Sequence, residues 1–172
     1  MRSFFALLAA AASFVATVSA VPTASTDATV IKVFDSGVVE SSISADEYLG
    51  GALQKRQTID LSGATCQSTC SGSPGPGPNQ NDCNVIINQL LGEGATKFSV
   101  NPNTVIFLTF NSCRVNFVNT TPDVVVYQGG TDNDWGSVAS FLAGACNAAH
   151  GFSQGQCTFD EQPNAFIQVL HS

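Results

Sequence analysis

Six cysteines constrain the fold of this 172-residue chain more than any other feature, and all of them lie downstream of Arg56. They are Cys66, Cys70, Cys83, Cys113, Cys146 and Cys157. An even number of cysteines in a small domain from an oxidising compartment predicts a disulfide framework, here of three bonds. Six cysteines allow fifteen pairings, and their spacing does not choose among them. A zinc site at Cys66 and Cys70 is disfavoured because neither His150 nor His171 belongs to a second ligand pair, so no metal is predicted.

The N-terminal segment predicts export from the cell. Residues 1–20 contain a positive charge at Arg2, an apolar run from Phe4 to Val18 and a small residue, Ala20, at the end. This order is typical of a secretory signal peptide. The apolar run is short and rich in alanine compared with the roughly 20 apolar residues of a membrane span. We therefore predict a secreted, extracellular protein without stable membrane insertion.

A dibasic pair, Lys55 and Arg56, predicts a second processing step. The segment before it, residues 21–56, has no cysteine and is interpreted as a propeptide, which leaves a mature domain of residues 57–172. An exposed charged linker is the alternative, because a dipeptide is a weak motif. The stretch IKVFDSGVV at residues 31–39 has strand character, and the sequence leaves open whether it pairs with the domain before removal.

The charge of the predicted mature domain excludes one class of partner. Downstream of Arg56 there are two basic residues, Lys97 and Arg114, against eight acidic ones, a net charge of −6. Such a domain is repelled by phosphate backbones and anionic headgroups, whose recognition needs clustered lysine and arginine. No nucleic acid partner and no cofactor are predicted, whereas neutral ligands, carbohydrate above all, and protein surfaces remain open.

Two helices are predicted from apolar periodicity. Asn81 and Asp82 are candidate caps for the first, which runs from Asp82 to Leu91. The second begins at Trp135 behind three polar residues, as the helix dipole favours. Its predicted apolar face consists of Trp135, Val138, Phe141, Leu142 and Ala145.

The remaining segments are predicted as strands and one loop. The region from Cys66 to Pro78 is rich in glycine and proline, so it is predicted to be a loop held by its cysteines. Strands are predicted where β-branched and aromatic residues dominate or polar and apolar residues alternate. Their sequences are KFSV, TVIFLTF, CRVNFVN, DVVVYQ, QCTF and AFIQVLHS, of which the last two form a closing hairpin. Helices segregated from a mostly antiparallel sheet predict an α+β sandwich.

Several motifs occur in an order that resembles a known family. They are a cysteine-containing first helix ending in NQLL, an F-x-V-x-P-N turn, an S-C-R-V-x-F strand, a D-W pair opening the second helix and a cysteine near the end of that helix. Over residues 82–170 this set resembles the small secreted glycan-binding lectins of mushrooms and, more distantly, fungal necrosis-inducing effectors and killer-toxin-like proteins. The resemblance implies an α-β-β-α-β-β sandwich that binds carbohydrate without catalysis.

Glycan binding needs an aromatic face for the sugar ring and amide or carboxylate groups for its hydroxyls. Trp135, preceded by Asp132, Asn133 and Asp134, is the first candidate site, but its place on an apolar helical face favours the alternative of an anchor that packs its helix on the sheet. Arg114 and Asn116, on the polar face of the CRVNFVN strand, form a second candidate, with an ordinary solvated face as the alternative.

The sequon at Asn119 predicts an N-glycosylated surface turn, although Pro122 directly after it leaves the occupancy open. The chain has no motif of a serine hydrolase, a zinc protease or a phosphate-binding loop, so no enzymatic activity is predicted. An acid pair such as Asp132 with Asp134, or Asp160 with Glu161, would be needed for a glycosidase.

The predicted partners are therefore glycans or glycoproteins, and a homodimer through a sheet edge is left open. The alternative function is that of a secreted effector or toxin acting on host or competitor cells, because the same disulfide-bonded scaffold would serve it.

Overall fold

A computed structural model describes residues 28–44, 57–74, 77–130 and 134–172 of the chain. The predicted signal peptide, the Lys55–Arg56 site and the candidate residues Asp132 and Asn133 lie outside the described residues. The described part is an α+β fold, as predicted, with two sheets and three disulfides.

The ten strands of the described part are β1 (Thr29–Val33), β2 (Val39–Ser44), β3 (Thr58–Asp60), β4 (Cys66–Pro74), β5 (Lys97–Val100), β6 (Thr104–Phe110), β7 (Cys113–Asn119), β8 (Val124–Gln128), β9 (Phe152–Phe159) and β10 (Ala165–His171). Its helices are α1 (Gln80–Gly92) and α2 (Trp135–Leu142), and α2 continues as a π-helical turn, Ala143–Ala148.

Seven strands form one antiparallel sheet in the order β1-β2-β6-β7-β10-β9-β4. Three short strands form a second sheet in the order β3-β8-β5, in which β3 and β8 are parallel. Two strands that follow one another in the sequence therefore lie in different sheets: KFSV (β5) in the small sheet and TVIFLTF (β6) in the large one. The turn between them brings Asn103 to a positive φ of 49°, which asparagine tolerates better than most residues.

The first helix begins two residues earlier than predicted. Its N-cap is Asn79, whose side chain accepts a hydrogen bond from the Asn81 amide. Asp82 instead accepts hydrogen bonds from the hydroxyl and backbone amide of Ser112. The bond from the Ser112 hydroxyl, followed by one from the Asn111 side chain, lowers the pKa of the Asp82 carboxyl. The predicted cap therefore ties α1 to the β6–β7 turn.

The prediction of a loop from Cys66 to Pro78 is wrong for residues 66–74. These residues form the edge strand β4, which pairs antiparallel with β9. An edge strand tolerates glycine and proline because one side of its backbone needs no partner, and Pro74 lies beyond a register shift after Ser71. Two disulfides, Cys66–Cys157 and Cys70–Cys146, hold this edge. The third, Cys83–Cys113, joins α1 to β7.

The prediction that Phe141 belongs to the apolar face of α2 is wrong, because its side chain is 59% exposed. At about 100° per residue Phe141 lies roughly 130° from the centre of the buried face, between Ala139 and Leu142. The helices cover the inner face of the large sheet, and five packed aromatic rings fill the space between the layers. These rings belong to Phe98, Phe117, Tyr127, Trp135 and Phe159.

Neither helix of the described part is both long enough and apolar enough to cross a membrane.

Candidate functional site

Trp135 is a core anchor in this structure. It is only 2% exposed, and its ring centroid lies 5.1 Å from that of Phe98 and 5.9 Å from that of Phe117. The prediction that it stacks on a sugar is therefore wrong for this arrangement, because neither ring face is accessible. The packing alternative that the sequence left open is the one observed.

Asp134 also has a structural role. It is buried, accepts hydrogen bonds from the Gly63 amide and from Gln128 Nε2 (2.6 Å), and forms a capping box with Ser137. A carboxylate with these partners anchors the start of α2 and is not accessible to a ligand. The sequence suggested a polar site at this helix terminus because Asp134 is one of the polar residues that precede Trp135, but Asp134 serves the fold.

Arg114 and Asn116 are brought together on the outer face of the large sheet, away from the helices. The Arg114 guanidinium lies 3.8 Å from the ring centroid of Phe107, and its Nε donates to Asn116 Oδ1 at 2.8 Å. Asn116 is fully buried among its neighbours, so the alternative of a solvated face is wrong for this residue. The pair is the start of a longer network.

A row of side-chain hydrogen bonds continues from Asn116 across β10 and β9. Asn116 Nδ2 donates to Gln168 Oε1 (3.3 Å), and Gln168 Nε2 donates to Gln156 Oε1 (2.9 Å). Gln156 Nε2 then donates to Thr158 Oγ1 at 3.0 Å. Each amide uses both its donor and its acceptor, so the row fixes the orientation of every member.

The accessible end of this row lies within a regular grid of outward-facing residues. Strand register places three residues of each of β10, β9 and β4 side by side. We call these nine residues the amide face; they are Phe166, Gln168, Leu170, Gln154, Gln156, Thr158, Gln67, Thr69 and Ser71. None is charged, those on β4 are exposed, and all on β9 and β10 except the buried Gln168 are half-buried.

Strand alternation explains why these side chains point outward. On β9 the intervening residues, Gly155 and Cys157, face the helices and the disulfides. Gly155 allows close packing there, because a Cβ would lie 3.1 Å from Leu142 Cβ and Cys146 Cβ and would require these neighbours to shift. The signal that sequence reasoning missed is the alternation Q-x-Q-x-T at residues 154–158, which predicts a polar outer face.

The amide face has the chemistry to bind neutral polar molecules. Its amides and hydroxyls supply both donors and acceptors, whereas Phe166 and Leu170 supply half-buried apolar surface. None of its nine residues carries a carboxyl, amine, imidazole or thiol group.

The sequon residue Asn119 is buried, so the predicted surface position is wrong. Its Nδ2, the atom that would carry a glycan, donates to the carbonyls of Val100, Asn101 and Asp123. Its Oδ1 accepts from the Thr121 amide. The side chain therefore joins the end of β7 to the loops that flank the small sheet.

Asp160, a member of the second candidate acid pair, has a local hydrogen-bond partner. Asp160 accepts a hydrogen bond from Thr65 Oγ1 at 2.7 Å, across the end of the β4–β9 pair. Among the residues that the structure describes, no three His, Cys, Asp or Glu side chains are placed to hold a metal ion.

Comparisons of the chain with family models, curated proteins and solved structures found no match.

Proposed function

We propose that this chain yields a secreted, non-catalytic glycan-binding protein and that the amide face is its binding surface. The observation that carries the proposal is the hydrogen-bonded row that ends at Gln156 and Thr158 beside half-buried Phe166. Sugars offer hydroxyls of both polarities next to patches of C–H groups, and this surface offers the complementary set. The groups are held in place before a ligand arrives, which reduces the entropy cost of binding.

The dimensions of the amide face fit a short oligosaccharide. Neighbouring strands lie about 4.8 Å apart, and alternate residues along a strand lie about 6.7 Å apart. Three strands with three residues each therefore present polar groups over roughly 10 by 13 Å. The absence of charge on these nine residues favours neutral sugars over acidic ones.

Two features support binding without catalysis and without nucleic acid. Hydrolysis of a glycosidic bond needs two carboxyl groups that flank the bond, and none of the nine residues carries one. Of the two basic residues downstream of Arg56, Arg114 stacks on Phe107 and Lys97 Nζ lies 2.5 Å from Asp60 Oδ2. The hydrogen bond from Lys97 lowers the pKa of Asp60 to about 2.

The test is a glycan array followed by titration calorimetry with the best ligand. Gln156→Ala removes the central amide of the face, and we expect about fivefold weaker binding, because one hydrogen bond contributes about 1 kcal/mol. Gln89→Ala on α1 is the matched control, since it removes a half-buried glutamine on the opposite side of the molecule. Circular dichroism shows whether each variant is folded.

Two results would overturn the proposal. One is a folded protein that binds no glycan on the array. The other is equal weakening by Gln156→Ala and Gln89→Ala, which would remove the amide face as the site. Cell killing by a domain that binds no glycan would favour the effector or toxin hypothesis.

A further inference from the structure

Two strands of the large sheet come from the segment that precedes the dibasic pair. Residues 28–44 form the β1–β2 hairpin, and β2 pairs antiparallel with β6 from Val39 opposite Thr109 to Ser44 opposite Thr104. Residues 28–44 of the predicted propeptide are thus part of the folded sheet on one side of β6. Its pairing with the domain, which the sequence left open, is observed.

The hairpin is anchored on both faces of the sheet. Phe34 and Val38, at its turn, are buried in the main core with Leu108, and Val38 has no exposed surface. Ile43 is buried on the outer face in a second apolar cluster, beside Val105. An element held on two faces and along its backbone does not leave the sheet without breaking all three sets of contacts.

Loss of the hairpin would expose an unprotected sheet edge. The sequence of β6, TVIFLTF, has no charge, proline or glycine, which are the usual protections of an edge strand. A bare edge of this composition is a template for aggregation. A secreted domain with this strand is better protected while β2 remains paired.

The hairpin also lines one side of a half-open pocket of about 400 Å³ over the core. Phe34 and Glu40 of the hairpin line it together with Phe98 and Trp135 of the domain. Burial, and then the neighbouring Glu93 charge, raise the pKa of the Glu40 carboxyl, whereas Lys32 opposes the shift. Trp135 is the one tryptophan of the chain, so its fluorescence reports whether the hairpin is in place.

We propose that the β1–β2 hairpin stays bound to the domain after cleavage, so that the secreted protein is a non-covalent complex of two chains. A dibasic-specific protease hydrolyses the Arg56–Gln57 bond, and water adds a hydroxyl to the Arg56 carbonyl carbon and a proton to the released Gln57 nitrogen. The docking surface is the edge of β6, and its occupant is the chain's own upstream segment. The inference rests on the predicted cleavage and is independent of glycan binding.

The experiment treats the folded chain lacking its signal peptide with a dibasic-specific protease and then separates the products by size exclusion. We expect denaturing mass spectrometry to find both fragments in the domain peak in equal amounts, with unchanged tryptophan emission. Elution of the domain alone, with emission shifted to the red, would overturn the proposal. Resistance of the folded chain to cleavage after Arg56 would overturn it as well.

Paired variants locate the anchor. Val38→Asp places a charge in the core, so we expect the cleaved upstream fragment to be lost from the domain peak. Val33→Asp is the matched control, because Val33 lies in the same hairpin and is 64% exposed, and we expect its fragment to be retained. If the uncleaved Val38→Asp variant does not fold, Val38→Ala replaces it. We then expect a partial loss of the upstream fragment from the domain peak. Equal retention in all three variants would contradict the anchoring through the buried turn.

Discussion

Tyr127 is a residue whose chemistry the fold changes. It is fully buried between the sheets, and burial, with a smaller contribution from the charge of Asp134, raises the pKa of its hydroxyl well above the ordinary value of about 10. We expect no tyrosinate absorbance at pH 10 to 11 in a folded Tyr48→Phe variant, in which Tyr127 is the one tyrosine left. A midpoint near 10 with native circular dichroism would contradict the buried position.

The raised pKa of Tyr127 also predicts the direction in which the free energy of unfolding changes at alkaline pH. Above about pH 10 the unfolded chain loses the Tyr127 proton while the folded chain keeps it, so the free energy of unfolding falls as the pH rises. Urea titrations at a series of pH values measure this slope. We expect Tyr127→Phe to have a smaller slope than the parent, and an unchanged slope would show that another group is responsible.

Asn119 provides a second prediction at the scale of a single residue. Because its Nδ2 is buried and donates to three carbonyls, a glycan on this atom is incompatible with the fold. We expect the mass of denatured secreted protein to be unchanged by a peptide N-glycosidase. A loss of mass together with conversion of residue 119 to aspartate would contradict the placement of β7.

Packing between elements depends on the absence of a side chain at Gly130. A Cβ there would lie 2.6 Å from both the Cα and the carbonyl oxygen of Leu91, at the end of α1. We expect Gly130→Ala to lower the free energy of unfolding by about 1–3 kcal/mol. Gly144→Ala is the control, because nothing lies within 4 Å of its added Cβ, and we expect no loss there. Equal stability of the two variants in urea would contradict the close approach of α1.

At the scale of elements, the sequence predicted those whose signal is local. The periodicity of α1 and the alternation of β7 were sufficient to predict a helix and a strand. The strand β4 was missed because its glycine and proline content is tolerated only at a sheet edge, and edge position is a property of the whole sheet. The true N-cap of α1 was missed because Asn79, Asn81 and Asp82 are all good caps, and Asp82 has a partner across a turn.

At the scale of the whole molecule, the α+β class was predictable and the assembly of the site was not. Gln156 lies beside Gln168 because of the register of β9 and β10, and beside Thr69 because of the register with β4. Neither neighbour is encoded by local spacing. Trp135 was selected for its residue type, but its position in an apolar stripe next to Phe98 decided its role as a core residue.

The whole molecule has two surfaces with separate roles in this account. The β6 edge pairs with the chain's own upstream hairpin, and the amide face on β10, β9 and β4 is the surface that we propose to bind a neutral glycan. In the strand order of the large sheet, β7 separates β6 from β10, β9 and β4. Occupation of one surface therefore leaves the other accessible. Glycan binding is therefore expected to be the same before and after cleavage at Arg56.

The most direct measurement of the central claim is a titration of the best array ligand into isotope-labelled protein, observed through the side-chain amide resonances. We expect the NH₂ signals of Gln154 and Gln156 to shift on saturation and that of Gln89 on α1 to stay unchanged. Shifts confined to α1, or unchanged amide-face signals at saturating glycan, would contradict it.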